Sequence, residues 1–167
     1  MVSDKFFAIV AGVGPGTGRS VAIRFSEAYP VVLLARRPES FNDAVAQINK
    51  AGGRAIGITA DATDESSLAS AFESIKKEFQ DLQLVAAIYN VRPNSRPSRK
   101  PFLELNLEDL DISLNGNVYV SSHNSPFTRA VVSLMKRHIL AVVSSILLKP
   151  YYLYFSNLWK VLLNRQL

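Results

Sequence analysis

Short apolar runs alternate with amphipathic stretches along the first ninety residues of the chain. Apolar runs predict buried strands at 6–13, 31–36, 55–60 and 84–91. Between them, apolar residues recur at helical spacing and predict helices at 19–29, 41–51 and 66–79. Strands that alternate with helices form a parallel sheet covered on both faces, because right-handed crossovers place the helices there. The pattern therefore predicts an α/β fold with a parallel sheet.

The turn after the first predicted strand is rich in glycine. In AGVGPGTGRS, Gly12, Gly16 and Gly18 follow the strand and open a helix. The first glycine permits a tight turn, and the later ones let backbone N–H groups approach a pyrophosphate at the positive end of the helix. The common fingerprint G-x-G-x-x-G is not met, because Thr17 stands where its last glycine would fall. A bound dinucleotide is one interpretation, and a glycine turn without a ligand is the other.

Three consecutive segments resemble the short-chain dehydrogenase/reductase family. AIVAGVGPGTGRSVAIRF, VVLLARRPESF and ITADATDESSL occur in the family's order and at its spacing. The resemblance implies a Rossmann-like, doubly wound parallel sheet of about five strands, incomplete on its C-terminal side. We expect a single domain over 1–167, with a cofactor-binding core at 5–120 and a divergent segment at 121–167.

The resemblance also implies which residues contact the cofactor. In this family an acid after the second strand favours NAD, and a basic residue there favours the 2′-phosphate of NADP. Arg36 and Arg37 stand at that point, and a guanidinium binds phosphate through paired hydrogen bonds; two solvated arginines at a helix start are the alternative. We expect NADP(H) rather than NAD(H), held by Gly12, Gly16, Thr17, Gly18, Arg36, Arg37, Asp61 (beside the adenine) and Asn90.

The catalytic part of the resemblance is incomplete. The family uses a Tyr-x-x-x-Lys pair on one helix face, in which the tyrosine exchanges a proton with the substrate. No tyrosine of this chain is followed by lysine four residues later. The apolar run 138–145 resembles the family's fifth strand, and Ser145 at its end is the candidate for the catalytic serine. Activity as an enzyme is therefore uncertain from the sequence.

The segment after residue 105 departs from the family pattern. A helix is predicted over 105–120, with Asn106 as its N-cap. Pro126 would fall inside the helix that the family continues here, and an interior proline costs ~3 kcal/mol. We therefore expect an interruption at 121–127.

Charge and composition exclude several classes of function. The chain carries 19 basic and 14 acidic residues, and its 112–167 segment has basic residues but no acidic ones. These cations are scattered among apolar residues, so we expect neither nucleic-acid binding nor membrane-surface contact. The absence of cysteine excludes disulfides and thiolate sites, and neither of the two histidines has a partner at ligand spacing, so no metal site is expected.

Two further expectations concern the two ends of the sequence. The apolar start runs into the glycine turn, which favours a buried strand over a signal peptide, so a cytoplasmic location is expected. The sequence ends before the last helix and strand of the family, so an uncovered sheet edge would favour self-association. Three functions stay open: an NADP(H)-dependent oxidoreductase for a carbonyl or alcohol, a cofactor-binding or regulatory subunit without turnover, and a truncated product without function.

Overall fold

Strands and helices alternate along the chain in the computed structural model, which describes residues 2–91, 107, 108, 111 and 126–134. A single 3₁₀ turn, Pro38–Ser40, precedes the second helix. The elements bounded within the described residues are β1 (Phe6–Ala11), α1 (Thr17–Ser26), β2 (Val31–Ala35), α2 (Asn42–Lys50), β3 (Ala55–Thr59), α3 (Glu65–Glu78), β4 (Gln83–Tyr89) and α4 (Pro126–Leu134).

The described strands form one parallel sheet in the order β3-β2-β1-β4. Ile9 of β1 pairs with Val32 of β2 on one side and with Ala87 of β4 on the other. The chain winds outward from β1 to β3 and then crosses to the opposite side of β1. Ligands of open α/β sheets bind at such a reversal, beyond the carboxyl ends of the strands. The predicted α/β fold is confirmed, and the crevice lies beyond β1 and β4.

Alternating side chains of β1 divide the core into two layers. Phe7, Ile9 and Ala11 pack toward α3 and α4, whereas Ala8 and Val10 pack toward α1 and α2. This division follows from the pleat, because successive side chains of a strand point to opposite faces. All five residues of β2 are buried, as expected for a central strand covered on both faces.

The boundaries of the elements differ from the predictions by a few residues. β1 ends at Ala11, two residues before its predicted end, because Gly12 adopts a φ of +84° and leaves the strand. The first helix starts at Thr17 instead of Arg19, directly after Gly16, and therefore includes Gly18.

The structure describes only part of the segment after residue 105, so it tests only some of the predictions made for that segment. Pro126 is the first residue of α4, where its missing N–H costs nothing. Leu107, Glu108 and Asp111 are helical and exposed, within the helix predicted at 105–120. The remainder of that helix, residues 121–125, the strand expected at 138–145 and Ser145 lie outside the described residues.

Candidate functional site

The glycine turn is fixed against the end of β2. The backbone N–H groups of Gly12 and Val13 both donate to the carbonyl oxygen of Leu34, at 2.9 and 3.1 Å. Gly12 has the left-handed backbone conformation that other residues adopt only with strain. A Cβ at this position would lie 2.3 Å from the carbonyl oxygen of Asn90. Both the conformation and the space therefore require glycine at the first turn position.

Asn90 joins the end of β4 to the glycine turn. Its backbone N–H donates to the Ala11 carbonyl at 2.8 Å, and its side-chain Nδ2 donates to the Gly12 carbonyl at 3.0 Å. Gly18 lies in the same contact, since a Cβ there would be 2.4 Å from the Gly12 oxygen and 3.1 Å from Asn90 Nδ2. The amide of Asn90 therefore holds the turn, and Gly18 lets α1 approach it closely.

The start of α1 presents backbone donors that no side chain caps. Gly16 is the N-cap residue, and the first turn of the helix holds no acidic residue. The backbone N–H groups of Thr17 and Gly18 have no acceptor among the described residues. A Cβ at Gly14 or Gly16 would meet no atom of a described residue within 4 Å. We call residues 12–18 the glycine cradle; its open donors and the helix dipole suit an anion.

Two arginines stand beside the glycine cradle. Arg36 and Arg37 follow β2 directly, and both are exposed. Because Leu34 accepts both hydrogen bonds from the turn, Arg36 comes two residues after the point where β2 and the cradle touch. Neither guanidinium forms a hydrogen bond or an ion pair with a described residue, whereas the Arg37 carbonyl accepts a bond from the Ser40 N–H. The two cations therefore follow the strand end against which the cradle is fixed.

Asp61 follows β3 and is held in a tight loop. Its Oδ1 accepts hydrogen bonds from the Thr63 backbone N–H at 2.9 Å and from Thr63 Oγ1 at 2.6 Å. Its own backbone N–H donates to Ser67 Oγ at 2.9 Å. Burial raises the pKa of Tyr89 well above its ordinary value, and the negative charge of Asp61 raises it further. The carboxylate of Asp61 therefore acts on the hydroxyl group of Tyr89, the last residue of β4.

Arg19 is a polar residue of the site that the sequence reasoning missed. Its backbone N–H donates to the Gly14 carbonyl at 3.2 Å, and its Nη2 donates to Gln47 Oε1 of α2 at 2.7 Å. Its Nε is buried without a hydrogen-bond partner among the described residues. A signal was available in the sequence: a cation follows the last glycine of the turn, and no acid stands three or four residues away on either side.

The cradle, the unpaired arginines and Asp61 together fit a dinucleotide. Each predicted contact residue among the described ones follows the carboxyl end of a strand or lies in the glycine cradle after β1. Because the strands are parallel, these ends share one edge of the sheet. The sequence pattern of the short chain dehydrogenase family matches residues 7–153. The chain belongs to the short-chain dehydrogenase family.

Similar proteins of this family include characterised dehydrogenases. A cis-4-hydroxycyclohexanecarboxylate dehydrogenase of Sinomonas cyclohexanicum is 25% identical over 116 residues, which cover 70% of this chain and 47% of the relative. A short-chain dehydrogenase of Burkholderia cenocepacia, solved with NADP, aligns at a TM-score of 0.64 and 25% identity, covering 80% of this chain and 54% of that one. A hydroxysteroid dehydrogenase of Escherichia coli aligns at a TM-score of 0.71 and 22% identity, covering 86% and 59%.

The chain spans about half the length of these short-chain dehydrogenases. Within the part that the structure describes, no helix is both long and apolar enough to cross a membrane. The same residues contain no group of three histidine, aspartate or glutamate side chains placed to hold a metal ion.

Proposed function

We propose that this short-chain dehydrogenase binds NADP(H) at the crevice beyond β1 and β4 and serves the oxidoreduction of a carbonyl or alcohol. The observation that carries the proposal is the glycine cradle: its N–H groups at Thr17 and Gly18 are uncapped, and its Gly12 and Val13 donate to Leu34, two residues before Arg36. When bound, the nicotinamide supplies or accepts the hydride. The family membership supports the same cofactor class.

Each part of the dinucleotide has a partner in this proposal. The pyrophosphate lies on the backbone N–H groups of Thr17 and Gly18, which point along the positive end of α1. Asp61 contacts the adenine. Asn90 does not need to touch the cofactor, because its side-chain amide acts by holding the Gly12 carbonyl and so the shape of the cradle.

The charge beside β2 favours NADP(H) over NAD(H). A carboxylate at the strand end would accept hydrogen bonds from the ribose hydroxyls of NAD and repel a 2′-phosphate. Arg36 and Arg37 occupy that place instead, and neither is neutralised by a described acid. A Burkholderia cenocepacia relative of the same fold was solved with NADP, which supports this choice.

Binding without turnover is the second candidate function. The sequence contains no tyrosine followed by lysine four residues later, and in this family that pair carries the proton transfer. Ser145 is the proposed catalytic serine of the oxidoreductase, not of this second candidate. A protein with the cradle but without the pair would act as a cofactor-binding or regulatory subunit.

Titration of the purified protein with NADPH and NADH, followed by nucleotide fluorescence, tests the proposal. We expect NADPH to bind more tightly than NADH. Oxidation of bound NADPH that depends on an added aldehyde or ketone would support the oxidoreductase, and binding without oxidation would support the subunit. If neither nucleotide binds, the proposed function is wrong.

The Arg36→Ala variant tests the cofactor preference. We expect it to lose on the order of 1–3 kcal/mol of NADPH binding, the value of a hydrogen bond to a charged group, and to leave NADH binding nearly unchanged. Arg24→Ala is the matched control, because Arg24 is exposed on the same protein and already pairs with Glu27. Equal losses for the two nucleotides would exclude the 2′-phosphate role of Arg36.

A further inference from the structure

The arginines of the described residues fall into two groups by their partners. One group is paired with glutamate, in the pairs Arg24–Glu27, Arg54–Glu78 and Arg129–Glu65. The other group has no carboxylate partner among the described residues and consists of Arg19, Arg36 and Arg37. These three lie around the glycine cradle and the end of β2. Uncompensated cations that share one surface repel each other and attract an anionic ligand.

Arg19 is placed on the same side of the cradle as Arg36. It is the third residue of α1, and its backbone N–H is anchored on the turn carbonyl of Gly14. Its side chain reaches α2, the helix that follows the Arg36–Arg37 segment, and bonds to Gln47. The guanidinium therefore lies over the β2 side of the sheet, away from β4.

The hydrogen bonding of the Arg19 guanidinium is incomplete. Nη2 donates to Gln47 Oε1, which is a neutral acceptor, and Nε is buried without a partner among the described residues. Burying a charged donor without an acceptor is unfavourable, so native proteins rarely leave one unless a ligand or an ion completes it. A phosphate would supply both the missing acceptors and the missing negative charge.

We infer that Arg19 is a third cation of the 2′-phosphate site and that Gln47 holds it until the phosphate binds. On binding, the bond from Nη2 to Gln47 breaks and the guanidinium donates to phosphate oxygens instead. This inference rests on the proposed binding of NADP(H). It adds to that proposal a residue of α1 and a competing partner on α2.

The Arg19→Gln variant tests the cation. We expect its NADPH dissociation constant to rise about tenfold, the effect of losing one charge-assisted hydrogen bond, with that of NADH unchanged. Arg19→Lys keeps the charge and should recover part of the loss. Arg24→Gln, on the same helix but paired with Glu27, is the control and should change neither constant. Unchanged NADPH binding in Arg19→Gln, or equal weakening of both nucleotides, overturns the inference.

Variants of Gln47 test the exchange of partners. Gln47→Glu adds a carboxylate that pairs with Arg19, so we expect weaker NADPH binding and unchanged NADH binding. Gln47→Ala releases Arg19 and should leave NADPH binding equal or tighter. If Gln47 and Arg19 only fasten α1 to α2, Gln47→Ala and Arg19→Gln will both lower the melting temperature and weaken both nucleotides alike, which contradicts the inference.

The failure of this inference is distinguishable from the failure of the proposed function. If the unaltered protein prefers NADPH, Arg36→Ala removes that preference and Arg19→Gln keeps it, then only the role of Arg19 is wrong. If the unaltered protein binds neither nucleotide, both proposals are wrong.

Discussion

Two glycines show how the surroundings of a residue decide its importance. Gly12 and Gly52 have nearly equal positive φ angles, +84° and +86°. A Cβ at Gly12 would overlap the backbone of Asn90 at 2.3 Å, whereas a Cβ at Gly52 would meet no atom within 4 Å among the described residues. The two positions therefore share the conformational strain and differ in the steric overlap.

Alanine at these two positions separates strain from overlap. We expect Gly52→Ala to lower the free energy of unfolding by about 1–2 kcal/mol, the cost of a left-handed conformation. Gly12→Ala should lose that amount and a further ~1–3 kcal/mol for the overlap with Asn90, and it should also lose nucleotide binding. Urea unfolding and NADPH titration measure both effects. Equal losses at the two positions would contradict the contact between Gly12 and Asn90.

At the scale of elements, α3 begins with a side-chain cap. Asp64 Oδ2 accepts hydrogen bonds from Ser66 Oγ at 2.8 Å and from the Ser67 backbone N–H at 2.9 Å. These bonds favour the ionised carboxylate and hold the pKa of Asp64 below its ordinary value of 3.8. The cap therefore stabilises α3 above that ordinary value, and the stabilisation is lost as the pH falls through the lowered pKa.

The Asp64→Ala variant should show this pH dependence. We expect it to be less stable than the unaltered protein at pH 7, with a difference that persists down to about pH 4 and closes at lower pH. Asp64→Asn is the control, because asparagine also caps a helix but does not ionise. Urea unfolding at pH 7 and pH 3 provides the measurement. A difference that grows on acidification would show that the lowered pKa has another cause.

At the scale of the whole molecule, α4 is attached to the sheet by buried apolar side chains, of which Phe127 is the largest and Val131 is also fully buried. Phe127 is fully buried, with its ring centroid 5.3 Å from that of Tyr89 in β4 and 6.0 Å from that of Phe72 in α3. Arg129 of α4 also pairs with Glu65 of α3 at 2.8 Å, but both side chains are more than half exposed. Water screens such a pair, so the apolar contact dominates.

Substitutions in these two contacts should differ widely in their effect. We expect Phe127→Ala to lower the free energy of unfolding by about 3–5 kcal/mol, the range for deleting a buried phenylalanine. Glu65→Gln should cost less than about 1 kcal/mol, because an exposed ion pair contributes little. Chemical unfolding of the two variants measures the difference. Comparable losses would mean that the ion pair, and not Phe127, holds α4 in place.

The fold could be predicted from the sequence in large part because its signals are local. The apolar runs around Ile9 and Leu33 identified buried strands, and the alternation with helices implied the parallel sheet that the structure contains. The glycine turn was also visible, since the order of strand, glycines and helix is continuous in the chain. The bonding partners of Asn90 and Arg19 were not visible in this way, because neither residue type nor spacing identifies them.

The sequence by itself determined the order of the elements, the positions of the turn glycines and the presence of Arg36 and Arg37 after the second strand. Only the tertiary structure decided that Asn90 bonds to Gly12, which lies 78 residues earlier, and that Arg19 reaches Gln47, 28 residues later. Periodicity reports which face of an element is buried, whereas a hydrogen bond depends on which elements become neighbours when the sheet assembles. That choice is made by packing across the whole domain, and no short stretch of residues contains it.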